Sequence, residues 1–342
     1  MKTNSETKSN LPQSTVGGTY VVADIGGTNA RFAMYSPDDS GKIKLFDHLR
    51  FRCSEFSDFA AAYRAYLDKT GHQVDGACVS IAAPTDGDHI HMTNLNWAFS
   101  IRDYKRALGL KSFLVINDGV AAVLATTAVE PSQLEVVKSG QAVDSGSRLN
   151  LIPGTGFGLG CIVPYKGEWV PIKSEGGHAT VAAVTKEEFE VLQHITEKSG
   201  RAVSDRVLSG PGMFSLYKAL AAVRGEQILD IDIKEMTSRA IKREDRLCAD
   251  ALDLYCTLLG RLAGDLALTL DAHGGIYLSG NVLQLVGVDR LGECFNKGFT
   301  EKGKMTEKVE RVPVSLLRMS NQNLLGASVW VDAQISAGKL TG

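Results

Sequence analysis

The stretch Val21-Val22-Ala23-Asp24-Ile25-Gly26-Gly27-Thr28-Asn29-Ala30-Arg31-Phe32-Ala33-Met34 decides the fold. A β-branched apolar run ends in an acid, two glycines and Thr-Asn follow, and a second apolar run begins. That pattern predicts strand, tight turn, strand. Adjacent glycines allow φ > 0 and close approach of a ligand to the backbone. Successive N–H groups of such a turn, with the Thr28 hydroxyl, can hold a phosphate. Asp24 can face a Mg²⁺ carried by that phosphate, usually through water. A plain Gly-Gly hairpin is the alternative, but a plain turn has no need of Asp24, Thr28 and Asn29 together.

Two commoner phosphate motifs are excluded. The chain contains no G-x-x-x-x-G-K-[ST], and Gly154-Thr155-Gly156-Phe157-Gly158-Leu159-Gly160 does not fit G-x-G-x-x-G. The 342 residues, 44% hydrophobic and 22% charged, are those of an ordinary globular protein of about two domains. A net charge of −2 gives no sign of a nucleic-acid or anionic-membrane partner. Six scattered cysteines form no C-x-x-C pair, so reduced buried thiols in a cytoplasmic protein are expected. Residues 1–18 are polar and read as a disordered tail, and no run could span a membrane.

Further along, Ser57 is expected to cap a helix ending at Gly71. Met92-Thr93-Asn94-Leu95-Asn96-Trp97 suits either contact with a polyol or a polar loop anchored by one buried Trp. Phe113–Asn117 is an apolar run that ends in Asn117-Asp118 and leads into a helix. Asp118 therefore stands at a strand's carboxyl end, where ligands of open α/β sheets bind; simple helix capping is the alternative. Leu149–Pro153 with Gly154-Thr155-Gly156 repeats the opening theme, which suggests a duplicated fold facing one phosphate chain. Glu175 and His178, separated by two glycines, can turn toward the hydroxyls of one small ligand; metal spacing is lacking there. Thr185 and Glu188 form a capping box. Asp205–Gly212 reads as a turn before a helix at 213–223. Ile276–Asn281 reads as a strand and tight turn suited to a nucleotide's base or ribose, and 321–331 reads as a closing helix that returns to the first domain.

Together the ordered motifs Asp24-Ile25-Gly26-Gly27-Thr28-Asn29-Ala30-Arg31, Met92-Thr93-Asn94…Trp97, Ile116-Asn117-Asp118, Gly154-Thr155-Gly156, Glu175-Gly176-Gly177-His178, Arg206-Val207-Leu208-Ser209-Gly210-Pro211-Gly212 and Gly274-Gly275-Ile276-Tyr277-Leu278-Ser279-Gly280 resemble the bacterial glucokinase family over about residues 19–335. The resemblance implies a two-domain α/β fold of the actin-like ATPase (ribonuclease H-like) type with an interdomain cleft. Residues 19–128 plus 321–342 would form the small domain and 129–320 the large one. It implies ATP-dependent phosphorylation of the 6-hydroxyl of D-glucose, with Mg²⁺, by a cytoplasmic homodimer of glycolysis, with Asp118 as general base. Asn94, Asn117, Glu175, His178 and Asp205 would bind the sugar. Ala23, Asp24, Ile25, Gly26, Gly27, Thr28 and Asn29, with Gly154, Thr155 and Gly156, would hold the phosphates, and Gly280 would lie near the adenosine. The family commonly has Glu at Asp205 and Gly at Asn281. A catalytically silent sugar sensor on the same fold is the competing reading; Asp118 and both phosphate turns speak against it.

Overall fold

The computed structural model describes residues 18–37, 42–92 and 95–340. The expected tail and Asn94 therefore lie outside the described residues, apart from Gly18. By internal contacts the described residues form two compact units, one drawn from 18–116 with 327–340 and the other from 117–326.

In the first unit the opening stretch forms β1 (Tyr20–Ile25) and β2 (Asn29–Pro37), paired antiparallel, and β3 (Ile43–Arg52) continues the meander. Helix α1 (Phe59–Thr70) ends at Gly71 in the left-handed region. Its cap is Asp58, whose carboxylate accepts the Ala61 N–H at 2.8 Å, and not the expected Ser57. Asp58 is the residue with extended backbone immediately before the first helical turn, so its oxygen alone is in reach. Then come β4 (Gly76–Ile81), the short hairpin β5 (His89–His91) and β6 (Ala98–Ser100), α2 (Ile101–Ala107) and β7 (Ser112–Asn117). The five-stranded sheet has the order β3-β2-β1-β4-β7, with β1 and β4 parallel. Rings of Phe32, Phe59, Tyr66, Phe99, Tyr104 and Phe113 pack on one another in its core.

The second unit opens with α3 (Asp118–Ala125), followed by β8 (Leu134–Lys138), β9 (Arg148–Pro153), β10 (Phe157–Tyr165) and β11 (Glu168–Ile172). Helices α4 (Lys186–Ser199), α5 (Ser204–Val207), α6 (Gly210–Arg224), α7 (Ile233–Lys242) and α8 (Arg246–Thr269) come next. The unit finishes with β12 (Ile276–Leu278), α9 (Asn281–Val286), α10 (Val288–Thr300), α11 (Thr306–Glu310) and β13 (Val314–Leu317), and the chain re-enters the first unit within α12 (Gln322–Ser336). The sheet order is β11-β10-β9-β12-β13-β8. Apart from the added edge strand β8, this repeats the first sheet. An antiparallel meander has its first strand beside a parallel neighbour, β1 with β4 and β9 with β12. The duplication inferred from the two Gly/Thr turns is thus present in the strand order.

Segments 117–128 and 321–326, expected with the small domain, pack within the second unit. Residues Gly119–Ala125 are all buried, and both Asn150 Nδ2 and Gln322 Nε2 donate to the Ala122 carbonyl, at 3.1 and 2.8 Å. The capping box of α4 is formed as expected. Asp205 lies in the short helix α5 where the sequence suggests a turn. Extended Val203 precedes it, and a backbone bond from Leu208 N–H to Ser204 O closes its single turn.

Candidate active site

The first glycine turn is a tight hairpin between β1 and β2. The Gly26 N–H donates to Asn29 O at 3.0 Å, and Gly27 and Thr28 are exposed at its tip. Cys53 supports it from behind, donating its N–H to Thr28 O at 2.9 Å and its thiol to Gly26 O at 3.5 Å. The side chains of Ala23 and Ile25 are buried in the core, so only their backbone can serve a ligand. Asp24 stands opposite Arg31 in the ladder and takes its guanidinium at 2.9 Å. Asn29 Oδ1 accepts Arg50 Nε at 2.9 Å. No sequence motif singles out Arg31; cross-strand register is what places its charge beside Asp24. Trp97 is buried in the core, where it packs as an anchor.

In the second unit every described candidate gathers around β10 and the carboxyl ends of β9 and β12. Asn117 has extended backbone and accepts the Gly119 N–H at 2.9 Å, so it is the cap of α3 and Asp118 is the first helical residue. Asp118 is half-buried, and its Oδ1 also lies 2.8 Å from the Gly119 N–H. The first turn of α3 rests directly on β10: a Cβ at Gly160 would collide with Gly119 O. The close approach demands glycine there.

One strand position earlier, Leu159 meets Gly176, and the Phe157 carbonyl meets Gly177, again with no space for a Cβ. These contacts seat Gly176 and Gly177 on β10 and leave Glu175 and His178, which flank them, exposed. The second glycine turn is closed by Gly154 N–H to Gly156 O at 2.8 Å, and the first residue of α6, Gly210, donates to Gly154 O at 2.8 Å. Asp205 Oδ1 accepts the Phe157 N–H at 2.9 Å. Gly280, at φ 103°, backs onto the Pro153 carbonyl just before that turn. A side chain at Gly280 would be strained by its φ and blocked by Pro153.

Packed on or joined to β10 are thus an acid at a helix start, an exposed Glu/His pair and a glycine turn. These are the parts for binding hydroxyls, accepting a proton and cradling an anion. No group of three or more His, Cys, Asp or Glu among the described residues is placed to hold a metal ion.

The glucokinase family model matches residues 21–334. The chain belongs to the glucokinase family. A relative within it, the glucokinase of Saccharophagus degradans, is 40% identical over 314 residues, which is 92% of this chain and 98% of that one. The crystal structure of a glucokinase from an Antarctic psychrotroph superposes with a TM-score of 0.86 at 34% identity, covering 92% of this chain and 98% of the other. A glucokinase from Balamuthia mandrillaris, solved in complex with glucose, gives a TM-score of 0.75 at 21% identity over 93% and 95% of the two chains, a likeness of fold. The glucokinase fold is the two-domain actin-like ATPase fold, and the repeated sheet order described above is its signature in this chain. No helix among the described residues is long and apolar enough to cross a membrane.

Proposed function

We propose that the chain is an ATP-dependent glucokinase that transfers the γ-phosphoryl group of ATP to the 6-hydroxyl of D-glucose, giving glucose 6-phosphate and ADP. The observation that carries this reading is the position of Asp118. Asn117 supplies the helix cap, and Asp118 stands at the first turn of α3 on the strand that also seats Glu175, His178 and the Gly154–Gly156 turn.

A sugar hydroxyl is a weak nucleophile. Asp118 accepts its proton as O6 forms the new bond to the γ-phosphorus and the bond to the ADP oxygen breaks; such a base is worth roughly 10²–10⁴ in rate. Phosphoryl transfer otherwise asks for positioning and charge neutralisation. Asn94, Asn117, Glu175, His178 and Asp205 bind the sugar hydroxyls. The backbone of 23–29 and 154–156 holds the phosphates, and Gly280 borders the adenosine. Asp24 would hold Mg²⁺ through water, and the ion would supply neutralisation of the phosphate charge. A cytoplasmic homodimer and a place in glycolysis complete the reading.

The test is ADP release over a sugar panel, with and without EDTA. Glucose should turn over, mannose and glucosamine weakly, acetate not at all, and EDTA should stop the reaction until Mg²⁺ is restored. If no hexose stimulates ADP release, the proposal fails.

A further inference from the structure

We propose that Asp205 is a positioning residue for the Gly154–Gly156 turn and, through it, for the nucleotide phosphates. This role is additional to the sugar contact and rests on the kinase reading above. Three observations carry it. The carboxylate accepts the Phe157 N–H at 2.9 Å from a position far along the chain, so it fixes the peptide that closes the turn. A Cβ at Gly156 would lie 2.6 Å from the same Oδ1, so the carboxylate is seated against the turn itself. The other end of the turn is held from the same segment, by Gly210 N–H on Gly154 O at 2.8 Å.

Between these two braces, the N–H groups of Thr155 and Gly156 have no acceptor among the described residues. Anion binding by a backbone turn depends on such N–H groups being fixed beforehand, because a loose turn must be ordered by the ligand at a cost in affinity. A charge-assisted bond to the backbone is a strong way to fix one. The charge strengthens the bond, but the geometry asks first for an acceptor oxygen at this place, which a neutral amide can also supply.

The test is calorimetric titration of AMP-PNP with Mg²⁺ into the full-length protein without sugar, for wild type, Asp205→Ala and Asp205→Asn. Removing the acceptor should weaken AMP-PNP about tenfold, the scale of one charge-assisted hydrogen bond. Asparagine, whose amide oxygen can take the same N–H, should recover most of that loss. Asp205→Ala binding like wild type overturns the proposal, as does Asp205→Asn binding as weakly as alanine. If Asp205→Ala is too unstable to titrate, Gly156→Ala presses on the same carboxylate from the opposite side and should give the same loss; wild-type affinity there overturns the proposal too. Wild-type protein that takes up no AMP-PNP refutes the kinase reading itself, an outcome distinct from intact wild-type binding with an indifferent Asp205→Ala.

Discussion

The side-chain oxygen of Asn117 accepts the backbone N–H of Gly119 at 2.9 Å, which makes Asn117 the cap of α3 and leaves Asp118 inside the first turn. The cap therefore falls to Asn117, beside its proposed sugar contact, and the proton transfer to Asp118. Asp118→Asn should lower kcat by roughly 10² or more with little change in melting temperature. Asn117→Ala should cost about 1 kcal/mol of stability, as loss of a cap does. Kinetics and thermal melts on both variants check the division. Normal turnover by Asp118→Asn would remove the general base.

The contact of Gly160 with Gly119 makes β10 the seat on which Asp118 is placed. Gly160→Ala puts a methyl group into the Gly119 carbonyl and within 2.8 Å of the Val123 side chain. Overpacking of this kind costs about 1–3 kcal/mol, and α3 must move to relieve it, so kcat should fall along with stability. Gly158→Ala is the control on the same strand. The nearest atoms to its Cβ would be those of the Ile152 side chain, at 3.4 Å, an ordinary contact, so activity should be nearly unaffected.

In the second unit, Arg261 of α8 pairs with Glu188 of α4 through two hydrogen bonds of 2.8 and 3.0 Å, both side chains being buried. Burial alone would raise the Glu188 carboxyl, but the hydrogen bonds from Arg261 and from the Val184 and Thr185 N–H groups outweigh it and hold the carboxyl below its ordinary value. A carboxyl depressed in the folded state contributes stability that is present above its unfolded value and lost as pH falls through its folded one. Glu188→Ala, which leaves Arg261 buried and unpaired, should destabilise by about 3–5 kcal/mol near neutrality. That difference from wild type should shrink in acid, as melts over a pH series would reveal. A difference independent of pH would contradict the pairing.

The buried thiols act at the other end of the pH scale. Burial pushes Cys161 up to about 11, and burial reinforced by a bond to Asp245 pushes Cys248 up to about 12. Both are protonated in the fold and ionise more readily once unfolded. Their stabilisation is whole below the ordinary thiol value near 9 and is lost as pH rises from there through 11 and 12. Urea midpoints should therefore fall between pH 9 and 11 under reducing conditions. Cys161→Ala with Cys248→Ala should flatten that slope, and an unchanged slope would show that other groups govern it.

Features set within a few residues could be read along the chain. The Gly-Gly-Thr and Gly-Thr-Gly turns, the Thr185/Glu188 capping box and the left-handed Gly71 depend on neighbours three or four positions away, and so does the pairing of a strand end with Asp118. Glycine, asparagine and acids advertise such local geometry because each has a specific backbone preference or a short side chain that reaches its own turn. The choice of Asp58 over Ser57, and of Asn117 over Asp118, fell to which residue the fold left extended just before the helix, and neighbouring capping residues look alike in sequence.

Tertiary structure alone decided which distant groups met. Asp205 reaches Phe157 across 48 positions, Cys53 reaches Gly26 across 27, and Gly160 faces Gly119 because a helix lies flat on a strand. No local pattern marks these partners, since packing selects them by shape once the sheets and helices have formed. The sequence determined the kinds of turn and acid this protein carries. The fold determined what each is braced against, because bracing is a property of closely packed surfaces and not of neighbours along the chain.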